Sequence, residues 1–261
     1  MDPFKEQKFY PQDHDQPFLE YFDSVFNTVY IGLFPFFTIR DKDCEKYDFN
    51  KSVEITLEQA RKQDRNFEKL KATNATIYSR NVKYPTNEEI LEQGTVVSWL
   101  DVKNGAGLAS NSDLYKGLKT SIGAYNKDYS RPDLAKRLDQ FTKKTQVWAP
   151  AEGQYDVITL RKIYNSFILL GKRHIIVEDE FLESRKELML GELTPEEFIE
   201  EISGKDYYIY SADQSLLFSL DWDSFFFIIC YSSPSVEQVV EKQDFEGFFA
   251  NFNTTHNWEH G

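Results

Sequence analysis

Apolar positions recur at helical spacing in the first part of the chain and as strand-like runs in the last quarter. Phe18, Leu19, Phe22, Val25, Phe26 and Val29 form a stripe that predicts a helix over 18–30. Residues 31–39 are apolar and aromatic around Pro35 and read as a buried strand or extended segment. Leu57 to Leu70 is highly charged with few apolar anchors, which suits an exposed helix, and a short strand centres on Ile77. Thr86-Asn87-Glu88-Glu89 is a capping box, in which the Thr86 hydroxyl accepts from the Glu89 amide while the Glu89 carboxylate reaches back. Leu114, Leu118, Ile122 and Tyr125 continue the helical period, as do Leu134, Leu138 and Phe141 after Ser130, Pro132 and Asp133. Residues 86–144 therefore read as a helical block, interrupted at Asn104-Gly105-Ala106-Gly107.

Residues 145–156 carry Pro150 and Gly153 and mark a linker or long loop. Thr159 is placed as the cap of a helix bearing Leu160, Ile163, Tyr164, Phe167 and Ile168, with Gly171 ending it. His174 to Val177 reads as a strand. Thr194-Pro195-Glu196-Glu197 combines a cap, a proline at the first helical position and a glutamate at the third. Three strand runs follow: Tyr207 to Tyr210, Leu216 to Phe218, and Phe225 to Cys230. They form an antiparallel meander whose last turn is Asp221-Trp222-Asp223. A short helix over 235–242 and a Phe-rich tail close the chain. Because Phe225 to Ile229 is apolar at every position, it must be covered on both faces and is placed as a central strand.

The fold class expected is α+β, with a helical N-terminal half and a small C-terminal antiparallel sheet, the meander, packed by helices. The chain divides into a loose arm (1–16), a mainly helical lobe (17–150) and an α+β lobe (151–261), joined in one compact unit.

At 261 residues the chain can bury a substantial core, since chains of this size hide roughly 70–75% of their unfolded surface. Its 22 Phe, 15 Tyr and 4 Trp make that core aromatic-rich. The net charge of −13 opposes binding to nucleic-acid phosphates or anionic membranes and suits a basic protein partner. Charge is uneven: residues 103–144 hold nine Lys/Arg and four Asp, net +5, whereas 174–206 hold eleven Asp/Glu and three Lys/Arg, net −8. Cys44 and Cys230 do not make a disulfide framework. With no secretory-leader pattern and no long apolar run, the chain reads as cytoplasmic.

The candidate chemistry gathers near the C-terminus. Asp221, Asp223, Glu246 and His256 cluster if the tail folds back over the meander, with Trp222 and Trp258 beside them. Carboxylate with imidazole can bind a metal or run acid–base chemistry, and Asp and Ser are also ordinary turn formers. In that arrangement His256 and Trp258 form the polar rim of a pocket or patch, and carboxylates raise the His256 pKa. The spacing matches no metal-ligand signature, and the sequence calls for no metal and no cofactor. Asn104-Gly105-Ala106-Gly107 lacks the third glycine of a dinucleotide loop. A nucleophile elbow is missing as well. His174 is read as structural, and His14, between Asp13 and Asp15, as solvated.

The run from Asp206-Tyr207-Tyr208-Ile209-Tyr210 through Asp221-Trp222-Asp223-Ser224-Phe225-Phe226, with Phe245-Glu246-Gly247-Phe248 and Thr255-His256-Asn257-Trp258, resembles the bacterial family known as domain of unknown function 2711, from Bacillus-like Gram-positive bacteria. Thr120-Ser121-Ile122-Gly123 and Val177-Glu178-Asp179-Glu180-Phe181-Leu182-Glu183 extend the resemblance upstream. It implies no reaction, cofactor or site residue. Acidity, aromatic abundance and the lack of a catalytic signature favour a non-enzymatic protein-binding or immunity-type factor. The alternatives are a hydrolase-like enzyme using the carboxylate/His cluster and a small-ligand-binding regulatory protein. A convergent polar pocket favours the enzyme; a flat acidic patch with exposed aromatics favours the binder.

Overall fold

A computed structural model describes residues 9–39, 52–56, 76–80, 84–125, 128–202, 204–232 and 236–258. Its centre is a seven-stranded sheet, antiparallel at every pairing. The strands are β1 (Thr28–Leu33), β6 (His174–Asp179), β7 (Arg185–Met189), β8 (Asp206–Ser211), β9 (Leu216–Leu220), β10 (Phe226–Tyr231) and β11 (Gly247–Phe249), in the spatial order β11-β1-β10-β9-β8-β6-β7. Two small pairs stand apart, β2 (Phe36–Ile39) with β5 (Gly94–Val97) and β3 (Ser52–Thr56) with β4 (Thr76–Arg80).

Strand β10 explains the layering. Its six residues are all buried. The side chains alternate, so that Phe226, Ile228 and Cys230 join one core and Phe227, Ile229 and Tyr231 the other. The first core is completed by α1 (Phe18–Phe22), α3 (Trp99–Gly105), α4 (Asn111–Ser121) and α5 (Pro132–Thr145). Against the opposite face lie α2 (Asn87–Gln93), α6 (Val157–Leu169), α7 (Pro195–Glu201) and α8 (Val236–Lys242). At Gly32, the partner of Phe227 across β1 and β10, an added Cβ would lie 2.4 Å from the Phe227 ring. The glycine makes room for that ring.

The structure corrects the expected fold class. The protein is α+β, but its N-terminal half is not a helical lobe. That half supplies β1 to β5, and β1 is the strand on which β10 and β11 both pair. Nor is the C-terminal sheet a small meander. Strands β8, β9 and β10 are consecutive neighbours as expected, but they form the middle of seven. The physical cause lies in β10: an apolar strand needs hydrogen-bonding neighbours on both edges, and the meander provides one. Val29, Tyr30, Ile31 and Leu33 supply the other, which overrides the helical stripe of 18–30 and shortens its helix to Phe18–Phe22.

Residues 9–16 do not form a loose arm. Phe9 and Tyr10 are buried, and the Phe9 carbonyl accepts the Ser219 hydroxyl at 2.8 Å. Both predicted capping boxes are present, at Thr86 and Thr194. The cap of α6 is Asp156 rather than Thr159, its carboxylate accepting from the Ile158 and Thr159 amides at 2.9 Å each. The exposed helix expected over 57–70 lies outside the described residues. Among those described, no helix is long and apolar enough to cross a membrane.

Removing a buried ring from β10 should cost about 3–5 kcal/mol. Phe226→Ala and Phe227→Ala, which open cavities on opposite faces, should each lower the denaturation midpoint clearly. Chemical denaturation followed by circular dichroism checks this.

Candidate functional site

The turn between β9 and β10 carries the acid–indole–acid motif. The Asp223 amide donates to Asp221 Oδ1 at 3.0 Å, and the Ser224 hydroxyl reaches the Asp221 carbonyl at 2.8 Å. The loop before α6 is stitched to this turn: the Gly153 amide donates to the Ser224 carbonyl at 2.9 Å. Gly153 has φ 61°, and a Cβ there would lie 2.1 Å from the Trp222 carbonyl oxygen, so only glycine fits. The approach sets the Glu152 carboxyl against that of Asp223. Glu152 Oε1, a buried atom, finds no hydrogen-bond partner among the described residues.

Lys119, near the C-terminal end of α4, reaches the turn from the α1/α3/α4/α5 face. Its ammonium donates to Asp223 Oδ1 at 2.6 Å and to the Asp223 carbonyl at 2.7 Å. Its side chain is only 5% exposed, so the charge is buried, paired and hydrogen-bonded together.

The N-terminal segment and the tail arrive side by side. The Phe18 amide donates to the Thr254 carbonyl at 3.0 Å and Asn257 Nδ2 to Asp15 Oδ1 at 3.1 Å. This seats His14 and His256 face to face, with ring centroids 3.8 Å apart and planes 12° from parallel. His14 Nε2 lies 3.3 Å from Asp221 Oδ2, and His256 Nδ1 lies 2.9 Å from Tyr10 Oη. Nitrogen and oxygen atoms of His14, Asp221 and His256 all lie within 4.8 Å of one another.

Environment separates the two imidazoles. The hydrogen bond to Asp221 raises the His14 pKa above its ordinary value, against a smaller effect of burial. Burial, with the adjacent His14 second, lowers that of His256 to about 3. For Asp221, burial pushes upward, but the bonds from His14 and the Asp223 amide, with the nearby imidazoles, hold the carboxyl below its usual value. Glu152 is pushed up to about 7 by burial first and by Asp223 second.

The six residues singled out from sequence do not all meet. Asp221, Asp223 and His256 do. His256 is 2% exposed, so it sits in the core beneath the turn and not on a polar rim, and burial gives its pKa the opposite direction to the one expected. Trp258 packs on the rings of Tyr115, Phe226 and Phe248. Trp222 stands 57% exposed at the tip of the turn. Glu246 is engaged at the start of α3, where it accepts the Trp99 amide at 2.8 Å and the Leu100 amide at 3.4 Å. It lines a separate cavity of about 310 Å³ with Lys162 and Asp244.

His14, Lys119, Glu152 and Tyr10 were missed. His14 is no solvated arm residue, since a ring stack and a carboxylate hold it. No local spacing could have found these four, because each lies far along the chain from the Asp221 turn or from His256.

The fold and site define an α+β protein with an antiparallel sheet covered on both faces and a polar centre at one strand turn. The chain belongs to the family described as "Protein of unknown function (DUF2711)", whose profile matches residues 14–260. It is also similar to "Uncharacterized protein YwbB" of Bacillus subtilis (strain 168), 22% identical over 175 residues that cover 67% of this chain and 77% of that protein. No solved structure gives a significant match.

Proton titration should separate the imidazoles. The ring signals of His14 should shift with a midpoint above 6.5, and Asp221→Asn should bring that midpoint down. Those of His256 should stay in the neutral form to well below pH 5. Because its folded pKa lies below the unfolded value, His256 contributes stability present at neutral pH and lost as pH falls from about 6.5 toward 3. Two-dimensional NMR of the histidine rings measures both.

Proposed function

We propose that the protein is a hydrolase-like enzyme whose centre is the group His14, Asp221, His256, Asp223, Lys119 and Glu152. The observation that carries this reading is convergence. Side chains from five separate segments bring two imidazoles, three carboxylates and an ammonium to one strand turn. A turn held only by its own Asx bonds would need none of the remote partners. In this reading Asp221 orients His14, whose half-exposed ring exchanges a proton with a bound substrate. Lys119 and Asp223 fix the electrostatics of the turn, and Glu152 is the second proton-exchanging group. A cytoplasmic location belongs to the same reading and rests on the sequence pattern.

The test is turnover by the full-length protein of chromogenic carboxylic-ester, phosphate-ester and amide substrates. One class should be hydrolysed, and His14→Ala and Asp221→Asn should each lower kcat/KM by about 10²–10⁴-fold. Phe252→Ser, at a position 86% exposed, should leave it unchanged. No turnover of any class, or a fully active His14→Ala, overturns the reading.

A second reading has its own support. Trp222 and Phe181 are 57% and 74% exposed, and Glu180 is close enough to Asp221 for the two charges to interact. With a net charge of −13, this acidic and aromatic surface suits a non-enzymatic, immunity-type factor that binds a basic protein. Affinity capture from native lysate should then recover one basic protein with the parent chain and lose it with Trp222→Ala. Equal recovery by both removes that reading.

A further inference from the structure

The geometry points to a divalent transition-metal site formed by His14, Asp221 and His256. The inference rests on the reading that this cluster is the functional centre, but it changes the part of His14 and Asp221, which as ligands would hold the ion rather than exchange a proton with substrate. Two imidazoles and one carboxylate form an N2O set that suits zinc, iron(II), cobalt(II) or nickel(II). It does not suit magnesium or calcium, which prefer oxygen ligands. Three protein donors would leave further coordination positions open to water or substrate.

Three features of the cluster fit such an ion. First, the donor atoms already lie within 4.8 Å of one another, whereas ligand atoms around a tetrahedral ion at ~2.0–2.1 Å stand about 3.3 Å apart. His14 Nε2 and Asp221 Oδ2, 3.3 Å apart, already stand at that spacing, so the closure needed lies toward His256. Second, the hydroxyl of Tyr10 occupies His256 Nδ1 at 2.9 Å. That leaves Nε2 as the ligand atom and supplies the outer hydrogen bond that orients metal-binding imidazoles. Third, the Asp223 amide holds Asp221 Oδ1 at 3.0 Å, so Oδ2, the oxygen facing His14, remains for the ion.

One rearrangement is required. Lone pairs of an imidazole lie in its ring plane, so two rings stacked 12° from parallel aim theirs side by side. His14 has to tilt off His256 for both to face one ion. It is the member able to do so: its side chain is 36% exposed and its segment has no regular structure, whereas His256 is 2% exposed. The hydrogen bond between His14 and Asp221 would give way to two bonds to the ion.

Cobalt(II) and zinc chloride are the probes, added to chelator-treated full-length protein near pH 7.5. Calorimetry should show one equivalent bound, and cobalt should give the visible ligand-field bands of a low-coordinate site. His14→Ala and Asp221→Asn should each weaken binding by at least about 100-fold, and Tyr10→Phe by about 10-fold. Excess magnesium should not displace the ion. His14→Ala removes a half-exposed ring, and circular dichroism shows whether it and Asp221→Asn stay folded.

No stoichiometric binding overturns the inference. So does binding that His14→Ala and Asp221→Asn leave unaltered, since the ion would then sit elsewhere. Ester, phosphate-ester or amide turnover that depends on His14 but takes up no ion overturns the metal site and leaves the acid–base reading standing. Stoichiometric cobalt binding at these three residues, with no turnover of any substrate class, supports the metal site and removes the hydrolase reading.

Discussion

The two-sided burial of β10 is the constraint on which the rest of the structure depends. Six consecutive buried residues in the interior of an antiparallel sheet leave no face for water. Helices must therefore pack on both sides, and a strand must pair along each edge. The need for a second edge partner draws Thr28–Leu33 into the sheet. The need for a second layer draws in α6, α7 and α8 opposite α1, α3, α4 and α5. Antiparallel sheets commonly leave one face to solvent. The apolar sequence of β10 does not permit it here.

The polar centre follows from the same packing. The turn after β9 ends at the rim of the aromatic core, where Phe226 meets both His256 and Trp258. Groups brought there lose water, and each must be answered by another. Lys119 is answered by Asp223, His14 by Asp221, and His256 by Tyr10. Burial is also what drives the titratable groups apart, toward a neutral His256 and a proton-retaining Glu152. A replacement of such ionic groups by apolar ones of similar size is often neutral or stabilising. Stability alone therefore gives weak reason for this cluster, which is why a functional reading is preferred.

The chemistry legible in the sequence was the half that lies within one turn. Asp221 and Asp223 are two residues apart and announce themselves as a turn. Their partners do not. His14 sits 207 residues from Asp221, and Lys119 sits 104 from Asp223. Nothing in the flanks of either marks it: Asp13 and Asp15 make His14 look solvated, and Lys119 is one of nine basic residues in 103–144. Glu246 shows the reverse error. Its closeness in sequence to the tail suggested membership, but β11 pairs with β1 and carries Glu246 to the amides at the start of α3.

By itself, the sequence determined the local elements whose chemistry is self-contained. These are the capping boxes at Thr86 and Thr194, where cap and third residue satisfy each other, the meander strands, and the central seat of β10, which follows from unbroken apolarity. Tertiary structure decided whatever depended on a remote partner. It made a strand of a segment with helical spacing, because pairing with β10 outweighs a period. It seated the N-terminal segment against the tail, and it set the direction of the His256 pKa. A histidine near carboxylates is raised or lowered according to how much water remains around it, and burial is a property of the whole packed chain.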